Sequence, residues 1–121
     1  MTKKKILVID EEPSFTRVLK LYLEKTGTYE VRDENRGKMA LAAAKQFKPD
    51  LILLDIVMPD MDGGEVAANI IADGALKDTP IVFLTAAVAK DEQGMISGRP
   101  FMAKPVNAEE VVQCIEKNLS K

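Results

Sequence analysis

Short apolar runs recur along this chain, and each stops on a single polar or charged residue. Ile6-Leu7-Val8-Ile9 meets Asp10, Leu51-Ile52-Leu53-Leu54 meets Asp55, Pro80-Ile81-Val82-Phe83-Leu84 meets Thr85, and Phe101-Met102-Ala103 meets Lys104. A run that is apolar at every position reads as a strand buried on both faces, the pattern of a parallel sheet covered by helices. Helical signals fill the intervals. Pro13 opens one, as proline suits the first turn; Phe15, Val18, Leu19, Tyr22 and Leu23 follow at helical spacing, and Gly27 stops it. Tyr29 to Arg32 alternates and predicts a short strand near an edge. Met39, Ala40, Ala43, Ala44 and Phe47 form an amphipathic stretch from Gly37, ended by Pro49. Beyond the loop Met58–Gly64, a third helix runs through Val66, Ala67, Ile70 and Ile71 to Asp73-Gly74. A weak helical signal covers about Lys90 to Ile96, on a crossover weakened by Gly94, Gly98 and Pro100. Asn107 caps a last helix carrying Val111, Val112, Ile115 and Leu119 on one face.

Strand and helix therefore alternate from end to end, which predicts an α/β fold, a doubly wound five-stranded parallel sheet with helices on both faces. With 121 residues and no linker-like stretch, the chain reads as one domain, 1–121. Right-handed crossovers bring every strand's carboxyl end to one edge, where ligands of open α/β sheets bind.

The residues at those ends are Asp10, Glu11 and Glu12 from the first strand, then Asp55, Thr85 and Lys104. Crowded carboxylates repel, and one is pushed toward protonation. A hard divalent cation with oxygen ligands removes the conflict, and Mg²⁺ suits two or three carboxylates plus waters and a phosphoryl oxygen. Lys104 and Thr85 then suit the remaining phosphoryl oxygens. With no histidine in the chain, triads and imidazole shuttles are excluded, so any acid–base or metal chemistry must come from carboxylates, Lys or hydroxyls. An aspartate can itself attack phosphorus, and Asp55, ending a central strand among fellow acids, is the best placed. A net charge of −2 offers no basic surface for nucleic acid, and no apolar run reaches membrane-spanning length or forms a signal peptide, so a cytoplasmic protein is expected.

These segments, Ile9-Asp10-Glu11-Glu12-Pro13, Leu54 to Gly63, Leu84-Thr85-Ala86 and Lys104-Pro105, together resemble a response-regulator receiver domain of two-component signalling. The resemblance implies a flavodoxin-like sheet of strand order 2-1-3-4-5. It implies that Asp55 takes a phosphoryl group from a phosphohistidine of a sensor histidine kinase or His phosphotransfer domain. Mg²⁺ would be held by Glu11, Asp55 and the backbone carbonyl of Val57, with Asp10 acting largely through water. Thr85 and Lys104 would touch the phosphoryl group, Phe101 would occupy the switch aromatic position, and Val57 and Ala87 would flank the phosphoryl group. The face around the fourth helix, fifth strand and fifth helix would switch to bind a downstream protein. Such a module is not an enzyme beyond self-phosphorylation and self-dephosphorylation, and with no output domain after Lys104 it is expected to stand alone. Glu11 departs from the commoner aspartate, and Phe101 from tyrosine.

Blander roles stand beside these. Glu12 is first-turn charge; Asp60 and Asp62 are turn and capping residues; Gly63 serves backbone geometry; Cys114 is an inert small hydrophobe. An aspartate-nucleophile phosphatase usually needs a second Asp two residues on, where Val57 stands. A receiver-like module that binds partners without phosphorylation is the alternative, opposed by the retained Asp55, Thr85 and Lys104.

Overall fold

The computed structural model describes residues 3–85, 95–96, 99–104 and 106–119. Its elements are β1 (Lys4–Ile9), α1 (Pro13–Lys25), β2 (Tyr29–Glu34), a 3-10 turn (Gly37–Met39), α2 (Ala40–Phe47), β3 (Leu51–Asp55), α3 (Gly63–Ala72), β4 (Ile81–Thr85), β5 (Met95–Ile96), β6 (Arg99–Ala103) and α4 (Ala108–Leu119). Among the described residues the sheet order is β2-β1-β3-β4-β6-β5. The expected five parallel strands are β2, β1, β3, β4 and β6, in the order 2-1-3-4-5. Two-residue β5 is an addition, pairing antiparallel with β6 through Met95–Pro100 and Ile96–Arg99.

That pairing corrects the last two residues of the fourth helix expected over Lys90 to Ile96. Met95 and Ile96 are strand, because β6 offers them a free edge while nearby Gly98 and Pro100 disfavour helix. Residues 90–94 of that expected helix lie outside the described residues, as do Ala86, Ala87 and Pro105.

Alternation within each fully apolar strand builds two cores. Leu7, Ile9, Ile52, Leu54, Ile81 and Phe83 face α2 and α3, meeting Ala40, Ala43, Ala44, Val66, Ala67 and Ile70. Ile6, Val8, Leu51, Leu53, Val82 and Leu84 face α1 and α4, meeting Leu19, Leu23, Val111 and Ile115. Each buried Leu or Ile contributes about 1.5–3 kcal/mol, so the central strands are the fixed frame for whatever sits at their ends. On α1, only part of the anticipated apolar face is covered. Leu19 and Leu23 are buried beside Thr16, whereas Val18 and Tyr22 are 66% and 44% exposed, and Leu21 is 64% exposed.

Local chemistry ends the helices where it should. Gly27, at φ 81°, takes the left-handed conformation after α1. Lys48 does the same after α2 at φ 54°, its N–H bonding Ala44 O at 2.8 Å, because the following Pro49 disfavours continued helix. Asp62 caps α3 by accepting from Gly64 N–H at 2.6 Å. Asn107 caps α4, accepting from Glu110 N–H at 2.7 Å while its amide donates to the Glu110 carboxylate at 2.7 Å.

Candidate functional site

The chain steps to β2 on one side of β1 and to β3 on the other, so the sheet's switch point falls between β1 and β3. Asp10 follows β1 and Asp55 ends β3, both buried. Thr85, also fully buried, ends β4 one strand over, where its carbonyl accepts Lys104 N–H at 2.8 Å. Lys104 follows β6 and reaches back across the edge. Its ammonium lies 2.5 Å from Asp10 Oδ2, 3.8 Å from Asp55 Oδ2 and 3.9 Å from Glu12 Oε1. The structure thus brings Asp10, Asp55, Thr85 and Lys104 to one edge, as the strand ends predict.

Charge is not balanced there. Desolvation, then the neighbouring Asp10 carboxylate, drive the Asp55 carboxyl up to about 6 from 3.8, with a smaller push from Glu11. Lys104 and the Val57 N–H, which donates to Asp55 Oδ1 at 3.2 Å, only partly offset this. For Lys104, desolvation works against the charge, but the Asp10 hydrogen bond and the Asp10, Asp55 and Glu12 charges outweigh it and raise its pKa. Surplus negative charge from hard oxygen donors fits a divalent cation. Glu11, however, is exposed. Among the described residues no three acid, histidine or cysteine side chains are gathered closely enough to cage an ion alone. The Lys104 ammonium occupies the space among the acids, so waters would complete any coordination.

The remaining candidates fall nearby. Val57 follows directly in the loop after β3, its side chain 59% exposed. Phe101 sits on β6 opposite Phe83, partly buried against the α2–α3 core. Asp60 and Asp62 are turn and capping residues as anticipated. Asp60 accepts from Gly37 and Lys38 N–H, both at 3.1 Å, and these backbone bonds hold its carboxyl below the usual range. At Gly63 a Cβ would fall 2.6 Å from Ile56 Cα and closer still to the Asp55 carbonyl, so the residue allows α3 to approach the end of β3. Cys114 packs at the margin of the α1–α4 core, its thiol pushed up by burial.

Sequence reasoning missed several supporting groups. The Phe15 ring lies beneath the Lys104 ammonium, 4.8 Å from its centroid. Asn35 donates to the Asp10 carbonyl at 2.7 Å and to Thr16 Oγ1 at 3.0 Å. A polar residue directly after an edge strand, on the edge where acids gather, is the signal that could have marked Asn35.

The family described as response regulator receiver domain matches residues 6–116. PilH of Pseudomonas aeruginosa is 32% identical over 122 residues, covering 96% of this chain and 98% of that protein. The transcriptional regulatory protein ResD of Bacillus subtilis is 40% identical over 111 residues, covering 89% of this chain but 45% of ResD. The chain spans about half the length of several of the regulators it matches. Among solved structures, chemotaxis protein CheY4 of Vibrio cholerae superposes with a TM-score of 0.84 at 26% identity, covering 96% of this chain and 98% of CheY4. No helix among the described residues is long and apolar enough to cross a membrane. By sequence match, sheet order and the acids at its switch point, the chain belongs to the response-regulator receiver domain family.

Proposed function

We propose that residues 1–121 act as one cytoplasmic receiver unit in which Asp55 accepts a phosphoryl group from a phosphohistidine on a sensor histidine kinase or His phosphotransfer protein. The observation that carries this reading is the Lys104 ammonium held between two buried carboxylates, 2.5 Å from Asp10 and 3.8 Å from Asp55. In the transfer, an Asp55 carboxylate oxygen bonds to phosphorus as the P–N bond to the donor imidazole breaks. The bonding pair leaves with the ring nitrogen, and Asp55 becomes an acyl phosphate. Phosphoryl transfer needs in-line placement and charge neutralisation more than a strong base. Asp55 is fixed by its strand, Lys104 supplies positive charge from the β6 side, and the Thr85 hydroxyl offers a hydrogen bond to a phosphoryl oxygen. Glu11, Asp55 and the Val57 carbonyl would hold Mg²⁺, with Asp10 acting through water; bound there, the ion supplies neutralising charge to the phosphoryl oxygens.

Phosphorylation would then draw Thr85 toward the acyl phosphate and free space for Phe101 beneath it, biasing the face around β6 and α4 toward a downstream protein. A net charge of −2 favours a protein partner over nucleic acid. The test is intact mass after incubation with Mg²⁺ and a small acyl phosphate. A single phosphoryl adduct in the wild type, absent in Asp55→Asn, is expected; an undiminished adduct in the variant overturns the assignment.

A further inference from the structure

The turn 35–38 lies between the two loops that carry the acids and bonds to both. On the β1 side, the Asn35 amide donates to the Asp10 carbonyl and to Thr16 Oγ1. Thr16 has acceptors for its own proton in Pro13 O at 3.2 Å and Asp33 Oδ2 at 3.3 Å, so it meets Asn35 as an acceptor. Two acceptors on one side fix which way the amide faces. On the β3 side, successive N–H groups of Gly37 and Lys38 donate to the two oxygens of Asp60. The two loops also touch directly, since a Cβ on Gly37 would lie 2.9 Å from the Met61 Cβ. Glu11, Asn35 and Asp60 line one recess of about 500 Å³. The β1–β2 ladder ends at Ile9 and Glu34, with one further bond from Asp10 N–H to Glu34 O at 3.0 Å. Beyond that point the turn is tied to the two loops through the Asn35 and Asp60 side chains.

We propose that this turn is a clamp, with Asn35 and Asp60 as positioning residues that hold the Asp10–Glu11 loop and the Val57 loop at the separation a divalent cation and phosphoryl group require. The inference rests on the phosphoacceptor reading above. Groups that orient metal ligands without touching the metal typically change affinity by about 10–100-fold when lost.

Charge and geometry make opposite forecasts, which allows a decisive test. Mg²⁺ affinity is measured by titration calorimetry on the full chain, with backbone amide shifts at Glu11 and Val57 as a second readout and thermal melts to verify folding. Asn35→Asp adds a negative charge but cannot donate. Geometry predicts weakening of about tenfold, whereas charge alone predicts tighter binding. Asp60→Ala removes both acceptors and should weaken Mg²⁺ about tenfold, while Asp60→Asn keeps one acceptor and should recover part of the loss. A charge-only role makes the two Asp60 variants equal. If Asn35→Asp does not fold, the Asp60 pair decides alone. Unchanged or tighter binding in Asn35→Asp, or equal binding by the Asp60 variants, overturns the clamp. A wild type that binds no Mg²⁺ and takes up no phosphoryl group overturns the phosphoacceptor reading and the clamp with it.

Discussion

Asp55 is buried among acids at a cost to its charged form. Its carboxyl is raised from 3.8 to about 6 by desolvation and by Asp10. A carboxyl with a higher pKa folded than unfolded binds its proton more tightly in the native state. Its favourable contribution is therefore complete below about pH 4 and lost as pH rises to about 6, leaving the charged form opposed above that. The interval corresponds to about 3 kcal/mol at neutral pH. Asp55→Asn should thus raise the melting temperature of the metal-free protein at pH 7, with the gain shrinking to nothing near pH 4. Paired melts across that range check it, and a pH-independent difference would contradict it. Val57 gives a second expectation. Its apolar side chain, exposed beside Asp55, cannot orient a water on the acyl phosphate. Val57→Asn, whose amide can hydrogen-bond such a water, should shorten the adduct's lifetime, as followed by intact mass over time.

At the scale of elements, α1 and α3 make different commitments. The solvent side of α1 presents Val18, Leu21 and Tyr22, the last two lying three and four residues after Val18, spacings that share a helical face. Clustered exposed apolar side chains mark interaction surfaces, and this helix begins directly after Glu12, beside the acids. Leu21→Asp should slow phosphoryl transfer from a protein phosphohistidine by about tenfold, equivalent to about 1.4 kcal/mol, while leaving reaction with a small acyl phosphate unchanged. Equal loss with both donors would place the defect elsewhere. α3 instead depends on close approach. Because a Cβ at Gly63 would collide with backbone at Asp55 and Ile56, Gly63→Ala should destabilise by about 1–3 kcal/mol. The Gly63 N–H bond to Ile56 O, 2.8 Å, should lose protection from hydrogen exchange.

Over the whole molecule, the proposed cation site at the acid edge would couple ligand to fold. A cation that binds the native state alone stabilises it by RT ln(1 + [L]/Kd), about 1.4 kcal/mol at ten times Kd. Mg²⁺ should therefore raise the wild-type melting temperature at pH 7 and do so less in Asp55→Asn, which has one carboxylate fewer at the proposed site. Chelation with EDTA should return the wild type to its metal-free value.

How much of this was legible without coordinates follows from the range of the forces involved. Apolar runs closed by Asp10, Asp55, Thr85 and Lys104 write strand, edge and site chemistry into local sequence, since an unbroken apolar run and the polar residue that closes it are local features. Caps at Asp62 and Asn107 and the stop at Gly27 are equally local. Crowding of acids foretold that one would resist ionisation. The tertiary structure decided that the acid is Asp55, and that desolvation exceeds repulsion as the cause, because burial depends on all surrounding elements. It likewise decided that Val18 and Tyr22 of α1 face solvent rather than core, since periodicity identifies an apolar face but not how much of it neighbours cover. The antiparallel pairing of Met95 and Ile96 needed β6 beside them. Phe15 and Thr16 on α1, Asn35 after β2 and Asp60 after β3 lie in three separate parts of the chain, and only the sheet's winding brings their side chains to the loops and ammonium of one site.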